Sequence, residues 1–327
     1  MAILLGGKGL KVSLWARRAE FAAELEKARE NRRYLPGVYL NGGVKVTARI
    51  DEALEDAQTV LFAVPSHGMR QVAGLAGAFW PPGAVAVSAT KGLEEGTWVR
   101  MSRVLRDVLG DPPVGVISGP NHAEEVGRGL PAATVVAATE PELAFLLQEI
   151  FAQAKLRVYT NPDVAGVELG GSLKNVIALA AGMAEGLGLG DNAKAALLTR
   201  GLAEMARLGV ALGAREATFY GLSGLGDLVV TCASVHSRNR RAGMELGRGR
   251  TPADIIAGTP MVIEGVRTAK AAAALAEETR IQMPVAEVVW RVLFGGLSPG
   301  EGVGALMERP LADETGGTGR TATPRTT

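Results

Sequence analysis

Short, continuously apolar runs separated by helix-like segments fill the first half of the chain, and they stop near residue 161. Lys11-Val-Ser-Leu-Trp-Ala16, Thr59-Val-Leu-Phe-Ala-Val64, Ala84-Val-Ala-Val-Ser-Ala89, Val114-Gly-Val-Ile-Ser-Gly119 and Thr134-Val-Val-Ala-Ala138 have the length and β-branched content of strands. Runs that are apolar on both faces need cover on both faces, which a parallel sheet between helices provides. Phe21 to Arg32 reads as one of those helices. The expected fold is α/β, with a doubly wound parallel Rossmann-type sheet. Beyond Asn161-Pro162 the strand signals vanish, and Asp163 to Gly190, Ala193 to Leu212, Pro252 to Ile256, Glu264 to Thr279 and Pro284 to Phe294 read as helix. Residues 1–160 are therefore expected to form a dinucleotide-binding sheet domain, and 161–310 an all-α substrate domain. Residues 311–327 are rich in Gly, Thr and Arg without apolar periodicity, and are expected to be a disordered tail.

Composition removes several classes of function. Hydrophobic residues are 47% and charged residues 21%, the profile of a globular protein with a large core. A net charge of +1 gives no basic surface for nucleic acid or an anionic membrane. The uncharged run Gln71 to Thr90 is broken by Pro81, Pro82 and glycines, so it reads as helix, turn and buried strand rather than a membrane span. Cys232 is the sole cysteine, which excludes an internal disulfide and fits a reducing cytoplasm. With only His67, His122 and His236 beside it, widely scattered, there is no zinc spacing and no metal is expected.

In a doubly wound sheet, ligands lie outside the carboxyl ends of the strands. Those ends carry Arg17-Arg18, Pro65-Ser66-His67, Lys91-Gly92 and Gly119-Pro120-Asn121. The second strand of a dinucleotide-binding domain commonly ends in an acid that holds the ribose 2′-hydroxyl. Two arginines there suit a 2′-phosphate instead, which favours NADP(H) while leaving NAD(H) open. A first strand and a Gly-x-Gly-x-x-Gly turn should precede Lys11. Met1 to Leu10 hold neither and read as the last turns of the first helix and its exit, so the first strand and the pyrophosphate-binding turn are missing from the expected sheet.

The helical half carries the chemistry. Lys174 lies in Glu168-Leu-Gly-Gly-Ser-Leu-Lys174-Asn175-Val-Ile-Ala-Leu-Ala-Ala-Gly182, a stretch with no charge for several residues on either side. A desolvated lysine shifts its pKa toward neutrality and becomes a usable acid or base. Such a residue can also be a snorkelling lysine with its ammonium in water. Gly221-Leu-Ser-Gly-Leu-Gly-Asp227-Leu-Val-Val-Thr231-Cys232 places an acid in a glycine-rich apolar turn. Asp227 there suits either a partner for a lysine or a helix N-cap. Ser237-Arg238-Asn239-Arg240-Arg241 suits either a phosphate or a solvated basic turn. Val262-Ile-Glu264-Gly265 is a further glycine-containing turn.

Together these stretches resemble bacterial NAD(P)-dependent glycerol-3-phosphate dehydrogenases. The matches are Trp15-Ala-Arg-Arg18, Asn31-Arg-Arg-Tyr-Leu-Pro-Gly37, Ala63-Val-Pro-Ser66, Thr90-Lys-Gly92, Ser118-Gly-Pro-Asn-His-Ala123, Leu173-Lys-Asn175, Gly224-Leu-Gly-Asp227-Leu, Ser237-Arg-Asn239 and Val262-Ile-Glu-Gly265. They run in order over nearly the whole chain, although the family's Gly-Ala-Gly-x-Trp-Gly turn has no counterpart. The resemblance implies reversible reduction of dihydroxyacetone phosphate to sn-glycerol 3-phosphate. It casts Lys174 as the acid/base, Lys91 as a stabiliser of alkoxide charge, and Asp227 as the residue that holds Lys174. It assigns Gly119, Asn121, Asn175, Thr231, Ser237, Arg238 and Asn239, beside the catalytic three, to the substrate. It assigns Arg17, Arg18, Lys91, Ala123, Arg238, Val262 and Glu264 to the cofactor. It further implies a homodimer in glycerophospholipid synthesis.

Two other readings stand beside this one. A related β-hydroxyacid-type dehydrogenase also pairs a Rossmann domain with helices and a catalytic lysine, and discriminating it requires comparing phosphorylated with non-phosphorylated substrates. A non-catalytic or cofactor-deficient dinucleotide-fold protein is motivated by the absent glycine turn, and NADPH titration discriminates it.

Overall fold

The computed structural model describes residues 1–259, 261–311, 313 and 314. Seven strands are found among them: β1 (Val12–Trp15), β2 (Val44–Thr47), β3 (Thr59–Phe62), β4 (Val85–Ser88), β5 (Val114–Ser118), β6 (Ala132–Ala137) and β7 (Leu156–Asn161). Between them run α1 (Ala2–Gly7), α2 (Ala19–Ala28), α3 (Ile50–Leu54), α4 (Met69–Gly77), α5 (Met101–Leu109), α6 (Ala123–Gly127) and α7 (Pro141–Phe151). The rest is helical: α8 (Val164–Gly186), α9 (Gly190–Ala211), α10 (Glu216–Phe219), a π-turn at Leu222–Gly226, α11 (Asp227–Ala233), α12 (Arg238–Gly247), α13 (Pro252–Ala257), α14 (Glu264–Thr279), α15 (Pro284–Phe294) and α16 (Pro299–Met307). The Rossmann-type domain followed by an all-helical domain is as the apolar runs imply. The expected tail lies outside the described residues, apart from Leu311, Asp313 and Glu314.

The strands form two sheets, β1-β2 and β3-β4-β5-β6-β7. A doubly wound order of 3-2-1-4-5-6 would put one more strand between β1 and β3. No described strand fills that place, so no ladder joins the two sheets. Helix α1 covers the larger sheet from that side. Met1, Leu4 and Leu5 pack on the Val85, Val87, Ile117, Val136 and Val158 cluster. Lys8 Nζ donates to the carbonyls of Glu149 and Ala152 at the end of α7, where cations favourably meet the helix dipole.

Parallel pairing dominates, with one reversal that qualifies the all-parallel expectation. β1-β2, β3-β4, β4-β5 and β6-β7 are parallel, whereas β6 runs antiparallel to β5. The β5–β6 connection contains only the short α6 (Ala123–Gly127), where a parallel return usually carries a full crossover helix.

Helix α8 is the axis of the helical domain. Its residues Gly166 to Ala184 are all buried. It is long and apolar enough to cross a membrane, yet it lies at the centre of the protein with 89% of its most apolar window buried. Asp163 caps its first turn by accepting from Gly166 N (2.9 Å), and its other oxygen accepts from Thr218 Oγ1 (2.7 Å). Where α12 crosses α8, four glycines leave no room for side chains. A Cβ on Gly182 would lie 2.1 Å from Arg240 O, and one on Gly243 would lie 2.1 Å from Leu179 O. Gly186 and Gly247 meet one turn later in the same way. The backbones therefore touch, which holds the N-terminus of α12 close to the middle of α8.

Buried Glu168 on α8 ties the two domains together. It accepts from Ser102 N (2.8 Å), Ser102 Oγ (2.6 Å) and Arg100 Nη1 (2.8 Å), supplying the cap that α5 lacks locally.

Candidate active site

Strand ends and helices from the two domains converge on one carboxylate. Lys91 follows β4, and Gly119 to Asn121 follow β5, at the sheet edge where doubly wound folds bind ligands. Gly119 has φ +141°, a conformation an L side chain rarely adopts, and its carbonyl accepts from Lys91 Nζ (2.9 Å). Opposite, α8 carries Lys174, and the π-turn Leu222–Gly226 packs on α8 one turn earlier. A Cβ on Gly170 would lie 2.7 Å from Ser223 O, so only glycine allows this approach. The turn delivers Asp227, the first residue of α11, against Lys174. π-turns of this kind recur at functional sites.

Asp227 bridges the two lysines. Lys174 Nζ donates to its Oδ1 (2.5 Å) and Lys91 Nζ to its Oδ2 (2.8 Å). The Lys174 and Asp227 side chains are 4% and 1% exposed, while Lys91 is 23% exposed. Lys174 is therefore not a snorkelling lysine, and Asp227 is a lysine partner rather than a cap. A lysine ammonium has three donors. Lys91 uses all three, on Asp227, Gly119 O and Asn121 Oδ1 (3.1 Å). Lys174 uses two, on Asp227 and on Thr231 Oγ1 (2.6 Å), whose own proton goes to Asp227 O (2.6 Å). One Lys174 donor remains for a ligand.

Burial sets the electrostatics. The Lys174 pKa is lowered to about 7: desolvation is the largest cause, Lys91 adds to the fall and Asp227 opposes it. Burial alone would raise Asp227, but the two ammoniums and their hydrogen bonds together outweigh it and hold the carboxyl below its usual range. His122 is lowered by desolvation first, then by Lys174 and Lys91.

The remaining assigned residues make contacts of different kinds. Buried Asn175 follows Lys174 on α8, and its Oδ1 accepts from Asn239 Nδ2 (2.8 Å). Asn239 Oδ1 in turn accepts from Gly265 N (2.9 Å). Ser237 Oγ caps α12 by accepting from Arg240 N (3.2 Å). Arg238 is exposed, and its Nη1 donates to Val262 O (2.9 Å), which joins two residues assigned to the cofactor. Glu264 reaches across to the sheet domain, accepting from Ser66 N (3.1 Å) and Ser66 Oγ (2.7 Å) at the end of β3. Arg17 and Arg18 stand exposed after β1, with Arg18 above the Phe21 ring at 5.9 Å. Ala123 is exposed at the start of α6.

The sequence reading missed Ser66 and Gly265 as polar contacts, and it passed over His122. The His122 ring lies 6.4 Å from His236, and its Nε2 is buried without a hydrogen-bond partner. The position of His122 between Asn121 and Ala123 was the available signal.

This geometry sits on a chain with recognisable relatives. The family model described as NAD-dependent glycerol-3-phosphate dehydrogenase N-terminus matches residues 1–144, and the corresponding C-terminus model matches residues 163–304. A protein of Moorella thermoacetica named glycerol-3-phosphate dehydrogenase (NAD(P)+) is 54% identical over 314 residues, covering 96% of this chain and 93% of that one. One of the same name from Pelotomaculum thermopropionicum is 52% identical, covering 95% and 90%. The crystal structure of glycerol-3-phosphate dehydrogenase from Coxiella burnetii superposes with a TM-score of 0.90 at 38% identity, covering 94% of each chain. A ketopantoate reductase from Ralstonia eutropha shares the fold alone, at 18% identity and a TM-score of 0.58. The two family models together span most of the chain, and the chain belongs to the NAD-dependent glycerol-3-phosphate dehydrogenase family.

Proposed function

We propose that this chain interconverts dihydroxyacetone phosphate and sn-glycerol 3-phosphate using NAD(P)H, with Lys174 as acid and base. The observation that carries the reading is the state of Lys174. It is buried, its pKa is near 7, and one of its three donors is uncommitted. An ammonium poised at neutral pH can give a proton to a ketone oxygen and, as the amine, take one from an alcohol. Asp227 and Thr231 fix the direction of Nζ. Lys91 adds positive charge where an alkoxide develops, its own protons staying on Nζ and donated to protein oxygens. The Asn175 amide, the Arg238 guanidinium and the hydroxyl of Ser237 are the donors for substrate phosphate and hydroxyls, with Gly119 and Asn121 forming the wall that holds Lys91.

The bound nicotinamide supplies the hydride. The donor set suits a dinucleotide at its two ends: Arg17 and Arg18 for an adenosine 2′-phosphate, and Lys91, Arg238, Val262, Glu264 and Ala123 for the nicotinamide side. The paired arginines support a preference for NADP(H) over NAD(H). We also assign the chain to the cytoplasm and to a homodimer, and divide its domains at residues 160 and 161 on the change from strands to helices. Alanine at Lys174 is expected to lower kcat for dihydroxyacetone phosphate reduction at least about a hundredfold, the usual size of a lost general acid. Near-normal turnover would refute the assignment. Equal turnover of a non-phosphorylated keto acid would refute the substrate. Replacing Arg17 and Arg18 by alanine should weaken NADPH binding and leave NADH binding within about twofold, since only the former presents a dianion to them.

A further inference from the structure

The mechanism leaves His122 unused, although it lies between Asn121, which accepts from Lys91, and Ala123, the first residue of α6. Its ring is half-buried. Nε2 is buried and meets no hydrogen-bond partner among the described residues. Buried polar atoms are almost always paired, so one left unpaired beside a lysine cluster points to a ligand. The backbone fixes the residue on the sheet domain, where the His122 carbonyl accepts from Glu125 N (3.2 Å) and Val126 N (3.0 Å). The ring turns toward the helical domain. Its centroid lies 6.4 Å from that of His236, with the planes 55° apart. The His236 amide donates to Ser234 Oγ (3.1 Å), and the next two residues are Ser237, the cap of α12, and Arg238. His122 therefore faces the segment that carries donors for the substrate phosphate.

The charges around the ring come from four elements. Lys174 on α8 and Lys91 after β4 act against an imidazolium, and Asp227 on α11 and Glu124 on α6 act in its favour. Desolvation is the largest influence, and with the lysines it holds His122 below the usual histidine value. At pH 7 the ring stays neutral until negative charge arrives. A phosphate monoester brings a charge of about −1.5 to −2. A neutral imidazole donates from one nitrogen only, whereas an imidazolium donates from both.

We propose that His122 selects the phosphate group of the substrate: it takes a proton from solvent as the phosphorylated substrate binds, donates Nε2–H to a phosphate oxygen, and returns the proton when the product leaves. The proposal rests on the function assigned above. It adds a donor from the sheet domain to Ser237 and Arg238 of the helical domain, so that one phosphate is held from both sides of the cleft.

The chain has three histidines, so each ring Cε1–H can be followed by NMR. His122 is assigned by the signal lost in His122→Gln and in His122→Phe. The titration is run on the NADPH complex with and without sn-glycerol 3-phosphate; both ligands are reduced, so nothing turns over. The His122 midpoint is expected below 6.5 with NADPH alone and at least about one unit higher with sn-glycerol 3-phosphate, while glycerol leaves it in place. An unmoved midpoint would overturn the proposal. In dihydroxyacetone phosphate reduction at saturating NADPH, His122→Phe should raise KM about tenfold to a hundredfold, the size of a lost hydrogen bond to a charged group, with kcat within about threefold. His122→Gln keeps a neutral donor and should recover part of that loss. An unchanged KM in His122→Phe would also overturn the proposal. A wild type that reduces dihydroxyacetone phosphate with an unmoved His122 overturns the proposal alone, whereas a wild type inactive on it overturns the assigned substrate and the proposal together.

Discussion

Replacing Asp227 by asparagine keeps the shape of the site and removes one charge, so its effect reads out the electrostatics of Lys174. The carboxylate lies 2.5 Å from one ammonium and 2.8 Å from the other, and is 1% exposed. At the effective dielectric typical of protein sites, a unit-charge pair about 4 Å apart is worth about 4 kcal/mol. One pKa unit corresponds to about 1.4 kcal/mol, which sets an upper figure of about three units. Relaxation and the remaining amide dipole reduce this, so a fall of about one to three units below the wild-type value of about 7 is expected for Lys174. Ketone reduction needs the protonated lysine, so wild-type kcat/KM should fall as pH rises through about 7. In Asp227→Asn that fall should begin at least about one unit lower, leaving the variant about tenfold or more below wild type at pH 8. Alcohol oxidation needs the neutral amine, so its rising limb should move to lower pH by the same amount. Substrate ionisation is common to both proteins and cancels in the comparison. Profiles in both directions that drop in height without moving along the pH axis would refute the reasoning, because they would mean that Asp227 holds structure and not the proton.

Two stability tests follow. Gly243→Ala should destabilise the protein by about 1–3 kcal/mol: helix propensity gains about 1 kcal/mol, but the new Cβ sits 2.1 Å from Leu179 O and must force α12 off α8. A urea midpoint at or above wild type would refute the tight crossing. Glu204 is buried and accepts from Val285 N (2.8 Å) and Ala286 N (3.2 Å), and burial raises its pKa from 4.5 to about 7. Between those values the folded state keeps a proton that the unfolded chain releases, so wild type loses stability as pH rises through the window. Glu204→Gln lacks this dependence, so the stability gap between wild type and variant should narrow by up to about 3 kcal/mol from pH 4.5 to 8. A constant gap would show that Glu204 titrates normally.

The parts of the fold that were legible in the sequence are those whose burial is uniform. β3, β4 and β5 announce themselves as continuous apolar runs, and α8 as a long uncharged one. β2 and β7 escaped notice because Val44-Lys-Val-Thr47 and Leu156-Arg-Val-Tyr-Thr-Asn161 interleave buried with exposed positions. Both end their sheets and are covered less completely. The reversal of β6 was invisible, since apolar content says nothing of strand direction. The lysine cluster could be guessed from an ion in apolar surroundings, but not its bond count. That count depends on how the Gly119 carbonyl, the Asn121 amide and the Thr231 hydroxyl happen to face, which no spacing rule encodes. Glycine was the better guide to geometry: Gly170, Gly182 and Gly243 each mark a place where two backbones touch.

The full commitment of Lys91 has a consequence for isotope experiments. Protons that stay on one nitrogen and keep the same acceptors through the reaction contribute nothing to a solvent deuterium effect, and all three on Lys91 Nζ are of that kind. The one proton in flight is the uncommitted one on Lys174. In mixtures of light and heavy water, the rate of the chemical step should therefore decline as a straight line with deuterium fraction. A bowed line would mean that the second lysine lets go of a partner as the alkoxide forms.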